Sequence, residues 1–126
     1  MAKTILVIED QEQNLYLIKY MLEAHGYRIV LARDGNEGIS AARAEFPDLI
    51  LLDIQLPTID GYDVARALKS DPDLCAIPIV AVTSYAMPGD RERVMGVGCT
   101  GYIEKPIDPE RFVCQIKDYI ADHSEQ

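Results

Sequence analysis

The chain has 126 residues, 48% of them hydrophobic and 26% charged, a balance typical of one globular domain with its own core. The formal net charge of -9 argues against a nucleic-acid partner or an anionic membrane surface, because both select clustered lysine and arginine. The sequence contains no apolar run long enough to cross a bilayer, and its N-terminal apolar run stops at Glu9-Asp10, unlike a signal peptide. We therefore expect one domain over residues 1–126, soluble and cytoplasmic.

The first part of the chain alternates short apolar runs with amphipathic segments. Residues 5–8 are continuously apolar and include β-branched side chains, which predicts a strand buried on both faces. The apolar spacing that follows predicts a helix over about residues 11–24. A second strand is predicted over residues 28–32, and a second helix runs from the Asp34-Gly35 turn to about Ala44.

The middle of the chain repeats this alternation. Residues 49–52 predict a third buried strand, which ends at Asp53. A third helix is predicted over about residues 62–69. A fourth apolar strand, residues 79–82, ends at Thr83.

The last part of the chain predicts a helix over residues 90–97, a short strand around residues 102–103 and a final helix. Asp108 is a suitable N-cap for that helix, and Pro109 fits its first position. The polar tail, residues 122–126, is expected to fray. Five apolar strands alternating with five helices predict an α/β domain with a parallel sheet and helices on both faces.

The glycine-rich segment and the cysteines do not indicate a functional site. Residues 96–101 match the letters of a G-x-G-x-x-G motif, but they follow a helix and precede a strand, the reverse of a dinucleotide-binding turn. The cysteines Cys75, Cys99 and Cys114 are odd in number and widely spaced, so we interpret them as free thiols in a reducing compartment.

Polar residues that could bind a ligand or react lie where the predicted strands end. Glu9 and Asp10 follow the first strand, Asp53 ends the third, Thr83 ends the fourth and Lys105 follows the fifth. Ligands of open parallel sheets bind beyond the carboxyl ends of the strands. We therefore expect these side chains to meet at one edge of the sheet.

The residue types at this edge predict a Mg²⁺ site. Glu9, Asp10 and Asp53 together carry three negative charges, and crowded carboxylates resist ionisation unless a cation lies among them. Oxygen ligands with room for water suit Mg²⁺, which together with Lys105 would balance the three acids. A carboxylate beside such a metal can form an aspartyl phosphate, with Thr83 donating a hydrogen bond to the phosphoryl oxygens.

These residues in their context resemble the receiver domain of bacterial two-component response regulators, in particular the single-domain type. The resemblance extends from about Thr4 to Ile120. The matching segments are residues 7–11, 48–57, 60–61, 83–84 and 102–106. It implies a doubly wound, flavodoxin-like fold whose five parallel strands lie in the order 2-1-3-4-5.

The resemblance also assigns roles at the acidic edge. Asp53 would accept a phosphoryl group from a histidine kinase or a histidine phosphotransfer protein. Mg²⁺ would be the cofactor, bound by Asp10 directly, by Glu9 mostly through water, by Asp53, and by the backbone carbonyl of Gln55. Lys105 would form an ion pair with the phosphoryl group. Glu9 departs mildly from the aspartate pair of many receivers, although its longer side chain still reaches a metal-bound water.

Further residues would transmit or tune the signal. Thr83 would move toward the phosphoryl group and Tyr102 would turn inward, which changes a partner surface formed by the fourth helix, fifth strand and fifth helix. Gln55 and Tyr85 occupy positions that tune dephosphorylation in the family, and the bond before Pro106 is usually cis there.

The first predicted helix carries polar and aromatic residues off its apolar stripe. They are Tyr16, Lys19, Tyr20 and Glu23. In the family this helix docks the kinase or phosphotransfer protein, and a solvated face is the alternative.

Three alternatives to a phosphorylation-controlled binding module remain open from the residues alone. A phosphatase of the haloacid dehalogenase type would carry an aspartate at position 55, where this chain has Gln55, so an enzyme with external turnover is not expected. A receiver-like scaffold would behave identically in the wild type and in Asp53→Asn. The chain could also be a receiver excised from a hybrid kinase, although Met1 and the short tail favour a protein without an attached output domain.

Overall fold

The protein, described here from a computed structural model, folds into a five-stranded parallel sheet in the order β2-β1-β3-β4-β5. The structure describes residues 2–56, 59–83, 89–105 and 107–124, with side chains described as far as residue 120. The strands are β1 (Thr4–Ile8), β2 (Arg28–Ala32), β3 (Leu49–Asp53), β4 (Ile79–Thr83) and β5 (Gly101–Glu104). The predicted fold class and strand order are confirmed.

Five helices connect and follow the strands. They are α1 (Glu12–Glu23), α2 (Gly35–Glu45), α3 (Gly61–Ser70), α4 (Asp90–Gly96) and α5 (Pro109–Ser124). The predicted bounds differ from these by a residue or two. The helix α5 extends through residues 122–124 of the polar tail that was expected to fray, because nothing in the sequence after Pro109 interrupts it.

The caps explain where several helices begin. Asp34 accepts a hydrogen bond from the Glu37 backbone nitrogen at 2.8 Å at the start of α2. Asp60 accepts one from the Tyr62 nitrogen at 2.8 Å and so starts α3. Asp108 caps α5 as predicted, through a 3.1 Å bond from the Glu110 nitrogen. Each carboxylate satisfies one of the backbone donors that a helix leaves free at its first turn.

The sheet is buried on both faces by two separate groups of apolar side chains. One face packs with α2, α3 and α4, through residues such as Leu52 and Val64. The other packs with α1 and α5, through residues such as Leu51 and Phe112. Alternate residues of β3 therefore enter different cores, which explains why this strand is continuously apolar. None of the helices in the described part of the chain is long and apolar enough to span a membrane.

The register of the sheet brings the strand ends into one row. Ile8 pairs with Leu52, Asp53 with Val82, and Thr83 with Glu104. The residues at or just beyond these pairs therefore lie side by side at the carboxyl edge.

The start of α3 packs directly against the chain that leaves β3. The Gly61 nitrogen donates to the Ile54 carbonyl oxygen at 3.1 Å. A Cβ atom at position 61 would lie 2.5 Å from the Ile54 Cα and 2.7 Å from the Asp53 carbonyl oxygen. Backbone cannot yield as a flexible side chain can, so this contact requires glycine.

Replacing this glycine tests the close approach. We expect Gly61→Ala to lower the free energy of unfolding by about 1–3 kcal/mol, because the added methyl group overpacks two backbone segments. Urea denaturation measures the change. Gly96→Ala is the matched control: that position is open to a Cβ atom, and alanine in a helix is favoured over glycine by up to about 1 kcal/mol. A Gly61→Ala variant as stable as the control would contradict the packing described here.

Candidate functional site

Three polar or charged residues are buried among those that the structure describes: Glu9, Asp53 and Thr83, exposed by 2%, 4% and 4%. All three were predicted from the sequence as members of one site. Burying such groups is costly unless they are paired or bind a ligand. Their shared location at the carboxyl edge indicates a functional site.

Lys105 lies between the two buried acids. Its Nζ atom is 2.7 Å from Glu9 Oε1 and 3.4 Å from Asp53 Oδ2. The lysine side chain is itself only 10% exposed, so both ion pairs lie in a region where water screens charge weakly. The structure thus brings Glu9, Asp53 and Lys105 together, although the shorter contact goes to Glu9 and not to Asp53.

The backbone fixes Asp53 from both sides. The Gln55 nitrogen donates to Asp53 Oδ1 at 2.9 Å, so the chain after β3 turns back toward the carboxylate. The Ile54 nitrogen donates to the Val82 carbonyl oxygen at 3.1 Å, which extends the β3–β4 pairing one residue beyond the strand. Asp53 therefore presents its carboxylate in a defined orientation.

Asp10 completes an acidic group at the site. Carboxylate oxygens of Glu9, Asp10 and Asp53 lie within 4.8 Å of one another, and Asp10 is the exposed member. In the part of the chain that the structure describes, Glu9 Oε2 is a buried oxygen without a hydrogen-bond partner. A buried glutamate with an unpaired oxygen, in a group of three acids, fits a hard divalent cation or its bound water.

Burial and crowding disfavour the charged form of Glu9. Its pKa is raised from 4.5 to about 7, first because burial removes water from the carboxylate and then because the neighbouring Asp53 carboxylate favours the protonated form of Glu9. The Lys105 ammonium acts in the opposite direction and does not offset these effects. The protein alone therefore does not neutralise this cluster.

Thr83 and Tyr102 lie on the two strands next to Asp53. The backbone nitrogen of Lys105 donates to the Thr83 carbonyl oxygen at 2.8 Å, so these two site residues are joined through the backbone. Tyr102 pairs with Ala81 and is half-buried against the core on the α3 and α4 side. Burial is the main cause that raises the pKa of Tyr102.

Some predicted features fall outside the residues that the structure describes: Pro57, Ser84, Tyr85 and the bond before Pro106. The sequence also did not reveal two contacts at the site. One is the preference of Lys105 for Glu9. The other is the bond from the Gln55 nitrogen to Asp53, a local turn that the Asp-x-Gln spacing alone does not specify.

Comparison with known proteins agrees with this geometry. A family model described as the response regulator receiver domain matches residues 5–117. The polar-differentiation response regulator DivK of Brucella ovis is 46% identical over 122 residues, which cover 97% of this chain and 99% of that protein.

Several solved structures with the same architecture are receiver domains. A CheY-like response regulator receiver domain protein from Methanospirillum hungatei superposes with a TM-score of 0.92 at 27% identity, covering 99% of this chain and 98% of that one. The receiver domain of a sensor histidine kinase from Pseudomonas aeruginosa has a TM-score of 0.88 at 32% identity, covering 96% and 99%. That crystal structure has a magnesium ion coordinated in its active-site cleft.

The raised pKa of Glu9 predicts how stability depends on pH when Mg²⁺ is removed. The unfolded chain releases this proton near pH 4.5, whereas the folded chain holds it to about pH 7. Between these values the unfolded state binds fewer protons, so stability falls as the pH rises and remains reduced above pH 7. We expect Glu9→Gln to remove this dependence and, at pH 8 in chelator, to stabilise the protein by roughly 1 kcal/mol, after allowance for solvent screening.

Urea denaturation across this pH range measures both effects. Asp10→Asn is the control, since Asp10 is exposed. A Glu9→Gln variant less stable than the wild type at pH 8 would show that the Lys105 ion pair outweighs the burial of the Glu9 charge.

Proposed function

The chain belongs to the response regulator receiver domain family of two-component signalling systems, and we propose that Asp53 is its phosphoacceptor. The observation that carries this proposal is the burial of Asp53 beside Lys105, Glu9 and Thr83 at the carboxyl edge of the sheet. The donor would be the phosphohistidine of a histidine kinase or of a phosphotransfer protein. The bond from phosphorus to the imidazole nitrogen breaks as the bond to an Asp53 oxygen forms, and the leaving imidazole takes up a proton.

The residues around Asp53 are suited to hold it for in-line attack. Its two oxygens are restrained by different donors, the Gln55 nitrogen on Oδ1 and the Lys105 ammonium near Oδ2. This restraint removes orientational freedom before the donor arrives, which is a large part of what a protein contributes to phosphoryl transfer. The chain thus catalyses its own modification and is a signalling protein without an external substrate.

The acids at this edge fit Mg²⁺. Asp10, Asp53 and the backbone carbonyl of Gln55 would hold the ion, and Glu9 would bind one of its waters through Oε2, the oxygen without a partner. When bound, the ion supplies positive charge against the phosphoryl oxygens. The magnesium in the related Pseudomonas aeruginosa receiver supports this assignment.

Lys105 and Thr83 would serve the phosphorylated form. The ammonium of Lys105 would exchange its contact with Asp53 for one with a phosphoryl oxygen, and the Thr83 hydroxyl would donate to another. Because the Lys105 nitrogen bonds the Thr83 carbonyl, movement at either residue affects the ends of both β4 and β5. Tyr102, two residues before the end of β5, would then turn inward and change the surface formed by α4, β5 and α5.

Two surfaces would serve partners. The α4–β5–α5 surface would bind a downstream protein, and α1 would dock the phosphohistidine donor. Tyr16, Leu17 and Tyr20 on α1 are 50%, 44% and 77% exposed, which is unusual for large apolar side chains and favours a docking face. The acidic charge of the chain favours proteins, and neither nucleic acid nor membrane, as partners in the cytoplasm.

Phosphoryl uptake by Asp53 is tested by the intact mass of the protein after incubation with acetyl phosphate or phosphoramidate and Mg²⁺. We expect one labile phosphoryl adduct on the wild type, which does not form when Mg²⁺ is chelated beforehand and does not form on Asp53→Asn. The asparagine variant keeps the size of the side chain and removes the nucleophile. An adduct of equal yield on Asp53→Asn, or no adduct on either protein, would be evidence for a scaffold that acts without phosphorylation.

The relay is tested with the double substitution Thr83→Ala and Tyr102→Ala. We expect the double variant still to be phosphorylated on Asp53, although more slowly, because the nucleophile is kept and one hydrogen-bond donor to the phosphoryl group is lost. Partner affinity in the phosphorylated state should fall by about 5- to 150-fold, the usual size of coupling between two sites. Calorimetric titration of the phosphorylated protein with its partner measures this, and Tyr102→Phe, which keeps the ring, is the control. Equal affinity of the double variant and the wild type would refute the relay.

A further inference from the structure

Few side chains hold α4, the helix that follows Thr83, to the rest of the protein. Val94 is its one buried residue, whereas α1 buries four side chains. Its N-cap residue is Gly89, which has no side chain to accept a hydrogen bond from the first turn. Among the residues that the structure describes, α4 is therefore held mainly by Val94, and one further side-chain contact has a large influence on its position.

Arg93 makes such a contact with α3. Its guanidinium carbon lies 3.9 Å from the centroid of the Tyr62 ring, within the range of a cation–π interaction. The Tyr62 side chain is only 6% exposed, so the ring is fixed by the core. A contact of this kind at a partly exposed site changes a local opening equilibrium by about 2- to 5-fold. Arg93 therefore anchors α4 to an immobile ring.

This ring is linked to the chain after Asp53 through its neighbour Gly61. Tyr62 follows Gly61, whose backbone nitrogen donates to the Ile54 carbonyl oxygen at 3.1 Å. Gly61 packs so closely against Ile54 that a Cβ atom would not fit between them. Ile54 in turn follows Asp53. Backbone displacement at Asp53 thus reaches Tyr62 through one tight contact.

Thr83 and the Arg93–Tyr62 pair border the same open cleft. The cleft has a volume of about 370 Å³, and its lining includes Gln55, Tyr62, Thr83 and Arg93. Two connections therefore lead from the Asp53 end of β3 to α4. One runs from Thr83 along the chain, and the other runs through Ile54, Gly61 and Tyr62 to Arg93.

We propose that Tyr62 and Arg93 are positioning residues that couple α4 to the Asp53 end of β3, as a second connection beside Thr83. This inference rests on the proposed function, because it concerns how phosphorylation of Asp53 reaches the partner surface. The Tyr62–Arg93 pair gives a connection to α4 that does not pass through Thr83 at the end of β4. Loss of the ring or of the cation weakens the coupling of α4 to Asp53 by at least half, while the acceptor site stays intact.

Hydrogen exchange of residues 90–96 tests the proposal, measured with and without Mg²⁺ and beryllofluoride, which takes the place of the phosphoryl group on Asp53. The variants are Tyr62→Leu and Arg93→Met, which remove the ring or the cation but keep apolar bulk. Tyr62→Phe and Arg93→Lys are the matched controls, because they preserve the aromatic face or the charge. Fluorine NMR of bound beryllofluoride reports separately whether the acceptor site is loaded.

Two results are expected. Without beryllofluoride, Tyr62→Leu and Arg93→Met each speed exchange of residues 90–96 by about 2- to 5-fold, whereas Tyr62→Phe stays within 1.5-fold of the wild type, about 0.2 kcal/mol or less. With beryllofluoride, the change in exchange that the wild type shows is retained in the controls and at least halved in the two disruptive variants. Combining both disruptive substitutions causes no further loss, since they remove one interaction.

Other results overturn the inference. A full response of α4 in loaded Arg93→Met shows that the contact is packing only. A Tyr62→Phe variant that behaves as Tyr62→Leu shows that the aromatic face does not carry the coupling. A wild type that binds beryllofluoride without any change in α4 refutes the coupling alone. A wild type that takes up no beryllofluoride refutes the proposed function, and the coupling with it.

Discussion

Excess negative charge at the carboxyl edge is the constraint on which the rest of the structure depends. Glu9, Asp10 and Asp53 meet within 4.8 Å, and Lys105 is the cation that contacts them among the described residues. Three acids against one ammonium leave the cluster unbalanced, and burial together with the neighbouring Asp53 raises the pKa of Glu9, whose Oε2 has no hydrogen-bond partner among the described residues. In the proposed function a divalent cation would restore the balance, and a phosphoryl group would then change it again. A site so close to electrostatic balance is well suited to a switch.

The fold offers short connections from this edge to the surface of the protein. Because the strands are parallel and in register, every site residue stands at or just beyond a strand end, next to the loop that leads into a helix. Lys105 and Thr83 share a backbone hydrogen bond, and Gly61 locks α3 against the chain after Asp53. A shift at the acceptor therefore has short paths to α4 and β5. The two apolar cores below the edge keep the rest of the sheet fixed.

The fold and the members of the site were predictable from the sequence, and the pairing within the site was not. Continuously apolar strands with polar residues at their ends specify a parallel sheet and its functional edge, and family resemblance supplies the strand order. Partner choice depends on side-chain geometry, which spacing does not encode: Lys105 lies closer to Glu9 than to Asp53. The Arg93–Tyr62 contact joins two helices far apart in the chain, so no local pattern predicts it. The tail of α5 continued as a helix because polarity alone does not end one.

The free energy of unfolding with and without excess Mg²⁺, at constant ionic strength, is the most direct measure of whether this edge is a cation site. The account predicts saturable stabilisation of the wild type, because an ion that binds only the folded state favours it by mass action. Asp10→Asn, which removes an exposed ligand and leaves the buried cluster in place, should lose most of that gain. Equal stabilisation of both proteins, or none in the wild type, would contradict the claim that the three carboxylates bind Mg²⁺ together.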